Sequence, residues 1–263
     1  MTLSLAAGPA RLLVDPADGG RLTSFTLAGH ELLATAGPEP TMHGSYVMAP
    51  YAGRVRAGRF THAGHEVQLP LTLPPHGAHG LVLDRPWTVR DATPRTATLE
   101  CPIGEPWPFG GRVVQQIEVG TDGVTQTVAV QADEAAFPAS IGWHPWFVRT
   151  PEDAGPVRLH LSAAAMLVRD DDYVTTLHRT DPPPGPWDDC FAGVDWPVVL
   201  DWPGLGRLEV TADTDYVVVF DLRDDAVCVE PQTHPPDALN TAAALVRPGH
   251  PLSATTRWRW RLG

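Results

Sequence analysis

What most constrains the fold of this chain is how its apolar runs are cut short. Short runs, many alternating apolar with polar residues, end repeatedly in turns built from Gly, Pro or Asp. The clearest case is residues 113–119, which turn at Asp122-Gly123 into residues 124–130. Val113, Ile117 and Val119 share one face there, and an Asp-Gly pair between alternating segments is a strong hairpin signal. Residues 11–14, 21–27 and 31–33 repeat the pattern around the turn at 15–20. Residues 206–211, 216–222 and 226–229 repeat it around Asp213-Thr214-Asp215 and Arg223-Asp224-Asp225.

The chain ends in strict alternation over residues 256–262, with Trp258, Trp260 and Leu262 on one face expected to meet the core. With 28 prolines and 24 glycines spread among these runs, the pattern predicts an all-β protein, a large antiparallel β-sandwich. The single helical candidate is residues 241–246, ending before Pro248-Gly249. A further strand pair is expected within residues 64–73 and a long surface excursion over residues 180–187. No linker or shift of composition divides the chain, so residues 1–263 are expected to form one domain.

Charge narrows the function classes. A formal net charge of -12 repels polyanions and excludes an ordinary nucleic-acid footprint. All 19 basic residues are arginine and Asn240 is the only asparagine, the usage expected of a GC-rich genome, so arginine abundance by itself carries no functional weight. Cys101, Cys190 and Cys228 are odd in number and widely spaced, which fits a reducing compartment. No basic-then-apolar leader and no long apolar span is visible, so a soluble cytoplasmic protein without membrane association is expected.

Four stretches set a compact polar group beside glycine, proline or aromatic residues. In Gly142-Trp143-His144-Pro145-Trp146-Phe147 the proline biases His144 toward extended backbone, which stiffens the imidazole at a strand end. The others are Gly53-Arg54-Val55 with Gly58-Arg59-Phe60, His76-Gly77-Ala78-His79-Gly80 running on to Trp87, and Glu230-Pro231-Gln232-Thr233. A carboxylate can take a proton, an imidazolium can give one, and a guanidinium can hold oxygens with its planar fork. Arg54, His79, His144 and Glu230 are thus the set needed to move protons on a neutral, polyhydroxylated substrate. Each has a plainer reading alone: a hydrogen-bonded core histidine, a solvated glutamate, and Arg56 and Arg59 on a solvated face. The His62/His65 and His76/His79 pairs lack the partners of a zinc site, so no metal is expected.

Taken in order along the chain, these stretches, with Asp188-Asp189-Cys190-Phe191 and Pro236-Asp237-Ala238, resemble the aldose 1-epimerases, or galactose mutarotases. The resemblance implies a galactose mutarotase-like supersandwich with a sugar lying in a groove across one sheet. It implies that His144 is the general acid on the ring oxygen, Glu230 the base on the anomeric hydroxyl, and His79 a support on the ring-oxygen side. Arg54 and Asp189 would hold hydroxyls, and Trp146, Phe191 and Trp143 would stack on the sugar, with no cofactor. The chain departs from the family pattern at Gly53, usually asparagine, and at Trp146, usually tyrosine. The expected activity is interconversion of the anomers of a free aldose. The alternatives are a hexose-6-phosphate 1-epimerase, with Arg56, Arg59 or Arg85 on the phosphate, and a non-catalytic sugar-binding protein.

Overall fold

The computed structural model describes residues 1–263. Strand makes up 54% of the chain and helix 3%, so the protein is all-β as the alternation predicts. Two large antiparallel sheets carry the architecture. The front sheet has eleven strands and runs from the edge strand Leu3–Ala7 through Ala10–Asp15, Arg21–Leu27 and Ser45–Met48 to its centre. The centre is Gly142–Val148 beside Ala226–Gln232, followed by Tyr216–Phe220, Asp188–Val194, Ala163–Arg169 and Thr175–Thr180. The back sheet has eight strands, with Gly123–Gln131 and Leu252–Leu262 in its middle.

The inner faces of the two sheets share one apolar core, as expected of a sandwich. Trp258 of the back sheet joins the layers, its ring 5.6 Å from Phe25 and 5.1 Å from Phe147 of the front sheet. Residues 113–119 and 124–130 do form a hairpin, Arg112–Val119 paired with Gly123–Gln131. No helix is long and apolar enough to cross a membrane.

Three local expectations differ from the structure. The one α-helical turn is Ala238–Thr241, whereas Ala244–Val246 is a strand paired with Phe137–Ala139. Alanine tolerates either conformation, and burial of Val246 against a waiting strand decides it. The short hairpin pairs Arg59–His62 with His65–Gln68, earlier than expected, because Ala63 and Gly64 supply the two consecutive positive φ angles of a tight turn. Trp258 and Trp260 are buried, but Leu262 is 44% exposed because the strand outruns the core.

Candidate active site

Period-two alternation in two neighbouring strands builds the centre of the site. In Gly142–Val148, Trp143 and Phe147 enter the main core while His144 and Trp146 take the opposite face. In Ala226–Gln232, Val227 and Val229 enter the core while Cys228, Glu230 and Gln232 take that same opposite face. Both strands are almost wholly buried even so, because segments near residues 39–42 and 78–85 wall in the outer face. Between these walls lies a groove of about 560 Å³.

Strand register fixes who meets whom. His144 lies opposite Tyr46 and their rings stack at 4.9 Å. His144 Nε2 is 3.3 Å from Glu230 Oε1, and Nδ1 is 3.6 Å from Cys228 Sγ. The His79 ring stands edge-on to His144 at 5.0 Å. His79 is held at φ 64°, a conformation that a non-glycine residue adopts at a cost and that commonly marks a functional constraint. Gly80 follows at φ 84°, and a Cβ there would sit 2.3 Å from the Ala49 carbonyl oxygen, so the turn that delivers His79 admits only glycine.

Arg54 reaches the groove from the two-residue strand Arg54–Val55, paired with Gly77–Ala78. Asp237 pins that segment: its backbone N–H donates to the Arg54 carbonyl at 2.6 Å, and its Oδ1 accepts from the Arg56 N–H at 2.9 Å. No carboxylate engages the Arg54 guanidinium, whereas Arg56 is held by Asp170 and Asp172. Gly53 has φ 65°, and a Cβ there would lie 2.8 Å from the Pro236 ring. Pro236 thus fills the space that an asparagine side chain would need at this position.

Burial dominates the electrostatics. It pushes the Glu230 carboxyl well above its usual range, with nearby Asp188 adding to the effect and Arg54 opposing it. It pushes the His144 imidazole well below its usual range, with His79 adding. Both shifts disfavour charge, so burial favours one proton held between Oε1 and Nε2 as a carboxyl beside a neutral ring over the ion pair. The His79 imidazole is lowered to about 4, chiefly by burial and then by Arg54. Asp188 is raised by burial, against the pull of Arg169 and Arg54.

The structure brings Arg54, His79, His144, Trp146 and Glu230 to one groove. Trp143 and Phe191 are corrected: both are buried in the main core, one residue out of phase with the groove face, and no ligand in the groove can stack on them. Asp189 is corrected too, although it is half-buried rather than in the core. It alternates with Asp188, and it is Asp188 that lines the groove, although Arg169 bridges the two carboxylates, at 2.7 Å from Asp188 and 3.2 Å from Asp189. The sequence carried the needed signal, since Asp188 has the parity opposite to Phe191, but which parity faces the groove is a tertiary fact. Tyr46, Cys228 and Gln232 were not foreseen. Gln232 was within reach, being two residues beyond Glu230 on one strand face. Its Oε1 and the Tyr46 hydroxyl are buried beside the groove without a partner within the protein.

His144, Cys228 and Glu230 also bring a nitrogen, a sulfur and an oxygen within 4.8 Å of one another, the donor types of a transition-metal site. The imidazole lies between the other two groups, however, Nδ1 toward sulfur and Nε2 toward the carboxylate, so the donors do not converge on one point. The arrangement suits proton exchange better than chelation.

The family model described as aldose 1-epimerase matches residues 2–259. Solved structures of similar fold include a candidate aldose 1-epimerase from Escherichia coli K12, with TM-score 0.86 and 20% identity over 100% of this chain and 99% of that one. A GalM/aldose epimerase homologue from C. elegans is similar at TM-score 0.84 and 14% identity, covering 100% of this chain and 99% of that one. A galactose 1-epimerase from Lactobacillus acidophilus NCFM is similar at TM-score 0.81 and 17% identity, covering 100% and 94%. No curated protein matches the chain.

Proposed function

The chain belongs to the aldose 1-epimerase family, and from that premise we propose that it interconverts the α and β anomers of a free aldose by acid–base ring opening. The observation that carries this reading is the 3.3 Å approach of His144 Nε2 to Glu230 Oε1 on the groove floor. The anomeric hydroxyl and the ring oxygen are bonded to the same carbon. An acid and a base that act on both must therefore converge, as these two do.

In the productive form the imidazole carries the extra proton and Glu230 is ionised. Glu230 takes the anomeric hydroxyl proton, His144 gives its proton to the ring oxygen, the bond from C1 to the ring oxygen breaks and the aldehyde forms. The pair is then a protonated carboxyl and a neutral imidazole, the form burial favours in the empty groove. Rotation about C1–C2 presents the other carbonyl face, and the same transfers in reverse close the ring. The pair holds one proton throughout, so turnover neither consumes nor releases any. Each positioned transfer is worth roughly 100- to 10000-fold. His79, neutral at physiological pH, supports the ring-oxygen side. Arg54, Asp188, Gln232 and Tyr46 offer hydrogen bonds to hydroxyls, and Trp146 offers an aromatic wall.

Charge in the groove supports a neutral sugar over a phosphorylated one. Even with Glu230 uncharged, Glu39, Asp84 and Asp188 line it against Arg54 and Arg85. Arg56 is occupied by Asp170 and Asp172, and Arg59 by Gln68. Cys101, Cys190 and Cys228 are buried free thiols, which supports the reducing, cytoplasmic location proposed with this activity.

The test is polarimetry of freshly dissolved α-D-glucose and α-D-galactose at neutral pH. Faster approach to anomeric equilibrium is expected, falling at least 100-fold in kcat in Glu230→Gln and in His144→Asn. Glu230→Gln should unfold no more easily than the parent at neutral pH, since it removes a buried acid. No acceleration with any free aldose, together with acceleration for glucose 6-phosphate, overturns the free-sugar reading. No acceleration with either leaves a sugar-binding protein.

A further inference from the structure

His144 has two ring nitrogens and the reaction uses one. Nε2 faces Glu230 and the groove, whereas Nδ1 faces away, into a pocket formed by Cys228, Ala34, Trp146 and Ala226. In that apolar setting Cys228 Sγ, at 3.6 Å, is the side-chain partner of Nδ1. The groups around the imidazole are otherwise its own backbone, which takes a hydrogen bond from the ring, Glu230 from the same strand as Cys228, Tyr46 from the neighbouring strand, His79 from its turn, and Arg21, whose guanidinium lies 4.8 Å over the Tyr46 ring.

We propose that Cys228 is a positioning residue for His144, its sulfur accepting the Nδ1–H so that the ring holds one tautomer and Nε2 alone exchanges protons with Glu230 and the sugar. This role rests on the acid–base reading above and adds to it a residue that the reading does not require. The chemistry of sulfur is what suits it. The ring also bonds its own backbone; with the sulfur removed, that bond alone would hold the Nδ1–H less firmly and would let population pass to Nε2–H, blocking the nitrogen that must accept. A carboxylate on Nδ1 would make the imidazole more basic and a poorer acid toward a ring oxygen. A neutral thiol is a weak acceptor that fixes the tautomer while adding little basicity. Burial and nearby Glu230 hold the Cys228 thiol protonated, so it stays neutral throughout the working pH range. Which nitrogen carries the hydrogen is a matter of this bonding pattern and can be read directly by nitrogen NMR.

The experiment compares the parent protein with Cys228→Ala and Cys228→Ser, all checked for an unchanged melting profile. Nitrogen-15 NMR of the His144 ring, assigned through His144→Asn, should show a protonated Nδ1 and an unprotonated Nε2 in the parent protein. Cys228→Ser keeps that tautomer, since a hydroxyl also accepts, whereas Cys228→Ala moves population to the Nε2–H form. In polarimetry, kcat should fall on the order of tenfold in Cys228→Ala with KM unchanged, and return in Cys228→Ser. A parent ring protonated at Nε2, or a Cys228→Ala protein with parental tautomer or parental kcat, overturns the proposal. If the parent protein itself accelerates no anomer exchange, the functional reading fails, while the NMR comparison still decides whether sulfur sets the tautomer.

Discussion

The two sheets obey the same alternation and differ in what covers their outer faces. Gly123–Gln131 in the back sheet alternates buried and half-buried residues without a break, with Thr125, Thr127 and Gln131 on the half-exposed face and Gln126 the one polar side chain on the buried face. Ala226–Gln232 in the front sheet is buried at every position, with Glu230 and Gln232 set into a walled groove. The polar residues on the outer face of the back sheet cost little because water solvates them. Those under the groove walls are desolvated, so a carboxyl and an imidazole in contact there each lose their preferred charge. Such a pair is poor material for stability and good material for proton transfer, so its presence in an otherwise apolar strand argues for chemistry.

Three experiments break or sharpen this contrast. Trp258→Ala, in the layer that joins the sheets, is expected to lower unfolding free energy by about 3–5 kcal/mol in denaturant titration, with KM of the surviving folded fraction unchanged. A large change in KM would show that back and front are not separable.

The next effect is in pH. The His79 imidazole falls from an ordinary 6.5 to about 4 in the folded protein. Between those values the unfolded chain binds a proton that the native protein refuses, so stability falls as pH drops from about 6.5 toward 4 and levels off below. The loss attributable to His79 is about 2 kcal/mol, less than the full shift implies because the ring is partly open to the groove. His144 acts in the same direction, and Glu230, whose carboxyl is raised, acts in the opposite one as pH rises above its unfolded value. His79→Gln should flatten the acid side of the curve. An unchanged slope would mean that the ring is solvated and charged like a surface histidine.

The smallest effect tests alternation at one step of the chain. Asp188→Asn should cost on the order of tenfold in kcat/KM for a free aldose, while Asp189→Asn should cost under about threefold. Equal losses would mean that the strand Asp188–Val194 twists enough to offer both carboxylates to the groove.

How much could be read beforehand follows from these same residues. Strand positions, the Asp122-Gly123 hairpin and the burial of Trp258 were legible because backbone period and turn chemistry are local. The centre of the site was legible because Arg54, His79, His144 and Glu230 each carry a Gly or Pro mark that local backbone geometry requires. Trp143 and Phe191 misled because aromatics flanking a functional residue look like a platform, yet neighbours on a strand face opposite ways. Asp188 and Asp189 are chemically identical, so only their face separates them.

By itself, then, the amino-acid order determined an all-β chain of short antiparallel strands and the chemical types that meet in its groove, since both depend on interactions within a few residues. Only the tertiary structure decided which face of each strand is walled in, that Glu230 and His144 lie 3.3 Å apart although 86 positions separate them, and that Cys228 stands behind the imidazole. Those outcomes follow from strand order and register across the sheet, which are set by the packing of the whole core and have no counterpart in any single segment.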